Sequence, residues 1–178
     1  VLSQSNLVEK ASGRSLILST AAHLDSLVDD VIAFGMSMLP AAFYRPPYQQ
    51  SPPWPRLEVV SRNVQVTADH HASQHTPNGR RIARGEALPR SGGLWFTAFV
   101  NGFESVPEGY RVEWRITNTG TMALVKRQER GKFYISHKQN MRWEGLSYRG
   151  VHITEAFIIR TSDNVLVGQS DPFEVVIV

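Results

Sequence analysis

From Leu57 to the C-terminus the chain falls into short runs that alternate apolar and polar side chains, each closed by turn-forming residues. A period of two places successive side chains on opposite faces of a strand, a pattern that would smear an apolar face around a helix. The runs are Leu57 to Ala68, Leu94 to Val100, Tyr110 to Asn118, His152 to Arg160, Val165 to Ser170 and Phe173 to Val178. Between them stand Asn101-Gly102, Pro107-Glu108-Gly109, Asn118-Thr119-Gly120 and Ser162-Asp163-Asn164, which accept tight or left-handed backbone. Strands of this length and spacing predict a mainly β fold over residues 57–178, an antiparallel β-sandwich of about seven strands.

The first 56 residues follow different rules. Ile17, Ala21, Leu24, Leu27, Val31 and Phe34 recur at three- and four-residue steps. That spacing predicts an amphipathic helix from about Arg14 to Phe34, with a break at Gly13 and a short turn around Leu7 to Ala11. Residues 1–38 are accordingly read as an N-terminal helical segment. Residues 39–56 read as a Pro-rich linker, because five of the ten positions from Pro46 to Pro55 are proline and neither helix nor ladder runs through them. An SH3 or WW ligand is an alternative, as is a protein-docking surface built on Tyr44, Tyr48 and Trp54. The simpler reading of Trp54 is a plug over one end of the following sheet. The chain starts Val-Leu-Ser-Gln-Ser without Met, which leads us to expect a piece of a longer polypeptide, residues 1–38 being the end of an upstream domain.

Composition excludes several classes of chemistry. With 178 residues, 42% of them hydrophobic, the chain can bury one good core. It has no cysteine, so disulfides and thiolate metal sites are ruled out, in keeping with a cytoplasmic location. No apolar run reaches the length of a membrane span. A Gly-x-Ser-x-Gly elbow, a Walker phosphate loop and a dinucleotide Gly-x-Gly-x-x-Gly are all missing. Glu144 and Glu155 are the available pair for acid–base work, but nothing fixes their separation. Asp69-His70-His71 with His75 resembles a metal cluster, yet adjacent imidazoles on a strand point to opposite faces. No catalytic residue, cofactor or metal is therefore expected.

Charge points elsewhere. Between Arg111 and Arg149 nine basic residues face three acidic ones, a local excess of six, while the whole chain carries only +3. Guanidiniums beside aromatic rings suit phosphates and planar bases. The modest total is too small for a long nucleic acid, which needs many phosphate contacts, and fits a small anionic ligand such as a nucleotide. On the run from Tyr110, Val112, Trp114 and Ile116 share the core face, leaving Arg111, Glu113 and Arg115 for solvent or a ligand. His152 and Thr154 alternate with Ile153 and Glu155, so only one of these pairs is expected to face the core. Trp95 and Trp143, if exposed, would offer a platform for a sugar.

The ordered set Trp114, Asn118-Thr119-Gly120, Ala123, Arg130-Gly131-x-Phe133, Glu144, Tyr148-x-Gly150-x-His152, Glu155-Ala156-Phe157 and Ser170-x-x-Phe173 resembles the adenylyl/guanylyl cyclase and SMODS C-terminal sensor domain. The resemblance runs from about Pro53 to the C-terminus and departs at Thr121-Met122, where an acidic residue is expected before Ala123. It implies a non-catalytic regulatory domain behind a nucleotide-second-messenger synthase of bacterial anti-phage defence. An upstream nucleotidyltransferase or cyclase domain would be its partner, and this chain lacks the Gly-Ser and Asp-x-Asp pattern of the transferase metal site. Under this reading Arg130, Arg142 and Arg149 contact phosphate. Tyr148 and His152 stack on or hydrogen-bond a base, and Asn118 and Glu144 read polar edges. A protein-interaction module that docks on a synthase or recognises a phage protein is the alternative.

Overall fold

The structure, a computed structural model, describes residues 6–8, 15–17, 46, 48–57, 62–102, 105–119 and 130–178. No helix occurs among them. Strands β1 (Asn6–Val8) and β2 (Ser15–Ile17) pair antiparallel, with Leu7 opposite Leu16. They stand where a turn around Leu7 and the first turn of a helix were expected. The rest of that helix lies outside the described residues. A three-residue strand shows too little alternation to betray itself, and Ile17 fits a helical stripe equally well.

Ten further strands form one mixed sheet: β3 (Arg62–His71), β4 (Arg80–Ile82), β5 (Ala87–Leu88), β6 (Gly93–Val100), β7 (Tyr110–Asn118), β8 (Gly131–Ile135), β9 (Met141–Gly145), β10 (Gly150–Arg160), β11 (Val165–Ser170) and β12 (Phe173–Ile177). β10 is the spine. One of its edges pairs with β7, and the other is shared, β12 taking residues 150–154 and β11 residues 157–160. The pairings of β11 with β3 and of β12 with β5 are parallel, which corrects the expectation of a purely antiparallel fold. Strand direction depends on a partner distant in sequence, and alternation carries no record of it.

The sheet folds over on itself. The Phe96 ring lies 6.5 Å from Trp114 and 5.9 Å from Phe173, although β6 pairs with neither of their strands. Leu94, Phe96, Trp114, Ile116, Ile158 and Val175 fill the space between the layers and are fully buried. Val112, Trp114 and Ile116 thus share the core face, as their alternation predicts.

Only His152 and Thr154 share the core face of Ile116 and Trp114, as expected, and β10 is also covered on its outer side, so the Ile153/Glu155 pair is buried as well. At Glu155 and Phe157 the cover comes from residues 48–57. The Gln50 N–H donates to the Gly131 carbonyl at 2.8 Å, the Tyr48 hydroxyl to the Asn118 carbonyl at 2.7 Å, and the Gln49 amide to Thr117 Oγ1 at 2.9 Å. Trp54 packs edge-on to Phe133 at 4.8 Å and near Phe157 at 6.2 Å, on the outer face of β8 and β10 rather than over a sheet end. Tyr48 and Trp54 are consequently half-buried against their own domain, and Tyr44 lies outside the described residues. Arg115, expected at solvent or a ligand, is buried beneath this strap in a pair with Glu155.

Four strands escaped the sequence pattern. β8 and β9 turn Tyr134, Arg142 and Glu144 inward, residues that no apolar alternation identifies. β4 and β5 are too short to show a period. Arg80 and Arg81 sit on β4, where Arg81 meets Asp69 at 2.8 Å. Among the described residues β3 covers Arg62–His71, and Leu57 is not in a strand. Trp95 is 6% exposed, 5.5 Å from Trp143, with its N–H on the Gln74 carbonyl, so it offers no sugar platform. Among the described residues no helix is long and apolar enough to cross a membrane.

Candidate functional site

Where β7 ends and β10 begins, the inward face of the sheet changes from apolar to polar. The alternation that buries Val112, Trp114 and Ile116 brings Asn118 inward next, and His152 stands opposite it across the ladder. Thr154 follows on the same face of β10. β9 sets Arg142 opposite Phe96 and Glu144 opposite Leu94, so both also point into the interior. Arg130 enters immediately before β8, its carbonyl accepting the Asn118 N–H at 3.2 Å. The connection from β9 to β10 carries Tyr148 and Arg149 and ends at Gly150, whose φ of 128° is unfavourable for any residue with a side chain. Thr119 ties this end together: its N–H and hydroxyl both donate to the Val151 carbonyl at 3.0 Å.

These residues enclose a cavity of about 170 Å³, lined by Asn118, Arg130, Tyr148, Arg149 and His152, with Ile177 of β12 completing the wall. Five of the seven residues singled out from the sequence therefore meet in one place. Arg142 and Glu144 do not line it. They stand behind it in an ion cluster whose centre is the Glu144 carboxylate, 4% exposed. Arg130 grips that carboxylate at two points, Nη1 to Oε2 at 2.6 Å and Nη2 to Oε1 at 3.2 Å, and Arg142 Nε donates to Oε1 at 2.7 Å. Arg142 Nη1 donates to the Ile135 carbonyl at 2.8 Å, and Arg130 Nε to the Tyr134 hydroxyl at 3.1 Å. Both guanidinium carbons lie over the Tyr134 ring, at 4.7 and 4.5 Å. Burial works against the Arg130 charge, but Glu144 and Tyr134 hold its pKa above the ordinary value.

This geometry alters the roles expected for three residues. Two guanidiniums on one carboxylate leave a net single positive charge, so the cluster supports the cavity wall more than it fills the cavity with charge. Arg142 is buried with its donors on Glu144 and Ile135, an arrangement that braces Arg130 and does not present Arg142 to a phosphate. Glu144 is engaged with both arginines. Arg130 commits three donors within the cluster, out of the five that a guanidinium carries.

The floor has a different character. His152 is 5% exposed, and neither of its ring nitrogens finds a hydrogen-bond partner among the described residues. Burial pushes its pKa down to about 4, with Glu144 pulling it up and Arg130 pushing it further down. At neutral pH it is an uncharged ring with one N–H donor and one lone pair. Asn118 Oδ1 and Thr154 Oγ1 are likewise buried without a partner among the described residues. Buried polar atoms in folded proteins are nearly always paired, and those of Asn118, His152 and Thr154 that lack a partner among the described residues gather at one end of the fold.

Sequence reasoning missed Tyr134, which joins the two arginines, and Ile177, which walls the cavity from the last strand. The aromatic-rich run after Arg130 was a signal for the first, and nothing local pointed to the second. Gly131 admits close backbone approach. The backbone that passes there is the strap, and a Cβ on Gly131 would lie 2.7 Å from Gln49 Cα and 2.8 Å from the Tyr48 carbonyl oxygen. His70 and His71 each place a ring nitrogen on a backbone carbonyl, of Ser91 and Thr76 respectively.

A family model described as the adenylyl/guanylyl and SMODS C-terminal sensor domain matches residues 44–178. No curated protein matches the chain. Among solved structures it is similar to the solution structure of the PKD domain (329–428) of human KIAA0319, at 16% identity and a TM-score of 0.37, over 78% of this chain and 91% of that one.

Proposed function

The chain belongs to the adenylyl/guanylyl and SMODS C-terminal sensor domain family, and from that premise we propose that its cavity is the sensing site, binding a nucleotide or a nucleotide second messenger without transforming it. The observation that carries this reading is the convergence of Arg130, Arg149, Tyr148, Asn118 and His152 on one cavity, whose floor presents buried polar atoms lacking partners among the described residues. Cationic groups for phosphate and neutral donors and acceptors for a base meet within one small volume. The size limits what enters. A cavity of about 170 Å³ has room for one planar ring or one phosphate, so the rest of a larger nucleotide would lie outside the mouth.

The strap of residues 48–57 supports the regulatory part of the proposal. It is hydrogen-bonded to the carbonyls of Asn118 and Gly131, the first a cavity residue and the second next to one. A ligand that shifts these strands pulls on the segment leading toward an upstream nucleotidyltransferase or cyclase domain. In a bacterial anti-phage system that coupling would set the output of the synthase. A thermal-shift panel of nucleotides, cyclic oligonucleotides and sugars tests the reading. A rise in melting temperature with one nucleotide class is expected, and no response to any of them, with the Arg149→Ala variant behaving as the parent, would remove it.

A further inference from the structure

We infer that the floor of the cavity takes the uncharged edge of a planar nitrogen heterocycle, a nucleobase, while the ligand's phosphate stays at the rim with Arg130 and Arg149. This rests on reading the cavity as the ligand site and adds which end of the ligand goes in.

Three observations carry it. The first is the chemistry of the floor. Asn118 and His152 stand opposite each other in register, both buried, with Asn118 Oδ1 and both His152 ring nitrogens unpartnered among the described residues. An amide and a neutral imidazole each present donors and acceptors at fixed angles, as the edge of a base does, and bidentate pairing of an Asn amide with a base edge is well established chemistry.

Volume is the second. About 170 Å³ is close to the roughly 150 Å³ that admits a single benzene ring elsewhere. One heterocycle fills it, with Ile177 available to its face.

The third is where charge already sits. Glu144 is buried behind the cavity with two guanidiniums turned onto it, so one of the two positive charges there is already answered and both groups are turned toward the carboxylate. Burial keeps His152 uncharged at neutral pH. A phosphate pushed to the floor would lose its hydration for two neutral groups, whereas at the rim it keeps water and meets the guanidiniums of Arg149 and Arg130.

The test uses the full 178-residue chain with labelled histidine, the His152 ring signals being assigned through His152→Gln. Ligands are the four ribonucleosides, their 5′-monophosphates, a cyclic dinucleotide, ribose 5-phosphate and inorganic phosphate. At least one nucleoside should move the His152 signals, and its monophosphate should bind about tenfold tighter, the increment of one charge-assisted contact at the rim. Asn118→Ala should weaken the nucleoside about tenfold or more, while ribose 5-phosphate and phosphate leave the His152 signals where they were. A cyclic dinucleotide that outcompetes the monophosphate identifies the source of the base and supports the inference equally, provided His152 responds. Movement of His152 by phosphate or ribose 5-phosphate overturns base-inward binding and leaves the sensing site standing. So does a nucleotide that binds while His152 stays silent. If no nucleoside or nucleotide binds at all, both readings fall together.

Discussion

Arg115 and Glu155 face each other directly across the β7–β10 ladder and join through two hydrogen bonds, Nε to Oε2 at 2.8 Å and Nη2 to Oε1 at 2.7 Å. Both are buried, and Arg115 gives a third donor to the Gln50 carbonyl of the strap. The pair therefore links the sheet to the segment that leads upstream. Removing one member leaves the other as an uncompensated buried charge, so Arg115→Ala should cost about 3–5 kcal/mol. Replacing both, as Arg115→Met with Glu155→Leu, should recover much of that loss. Urea denaturation measures each, and a single-variant cost below about 1 kcal/mol would show that water reaches the pair.

Gly131→Ala probes the strap from the other side. The added methyl would meet backbone atoms of Tyr48 and Gln49, which cannot swing away as a flexible side chain does. We expect a loss of about 1–3 kcal/mol and faster chymotrypsin cleavage after Tyr48, whose hydroxyl is otherwise held on the Asn118 carbonyl. Unchanged cleavage would mean that the strap is not docked there in solution.

The sequence is informative where one face of a strand is apolar and silent where the interior is polar. Tyr110–Asn118 and Val165–Ser170 have the bounds read from the sequence, and in the first Val112, Trp114 and Ile116 give burial a readable rhythm. β8 and β9 lack that rhythm because Tyr134, Arg142 and Glu144 take the inward positions. The same substitution of polar for apolar residues that hides these strands builds the cavity wall. Candidate site residues were legible as a cluster of arginines, aromatics and one histidine, and five of them do line one cavity. Their division of labour was not legible. Nothing local in the chain shows that Glu144 engages Arg142 and Arg130, or that a segment more than 90 positions earlier lies on the outer face of β10 at Glu155 and Phe157.

The ion cluster behind the cavity is a structural element as well as a neighbour of the site. Glu144→Gln would leave Arg130 and Arg142 side by side on the Tyr134 ring without a full counter-charge. A double-mutant cycle between Arg130→Gln and Glu144→Gln should give a coupling of about 1–3 kcal/mol in stability. Ligand affinity in any Arg130 variant must then be measured where the fold is intact. A coupling under about 0.5 kcal/mol would strip the cluster of its bracing role and return Arg130 wholly to ligand contact.

His152 makes acid stability the most direct test of the floor. Its pKa is about 4 in the fold against an ordinary 6.5, so between these values the unfolded chain binds a proton that the folded one refuses. Stability is therefore complete above about pH 6.5 and declines as pH falls toward 4, by about 3 kcal/mol in total at roughly 1.4 kcal/mol per unit of difference. Facing the ring, Glu144 softens the loss and Arg130 deepens it, while Arg149 lines the same cavity. His137, lowered by burial and by Arg142, contributes in the same direction. Asp163 and Glu86, each held low by an arginine partner, lose stability only in the more acidic carboxylate range. The signature of His152 is thus the difference between parent and His152→Leu in chemical denaturation between pH 7 and 4.5. The parent curve should fall more steeply, and parallel curves would place the imidazole in contact with water.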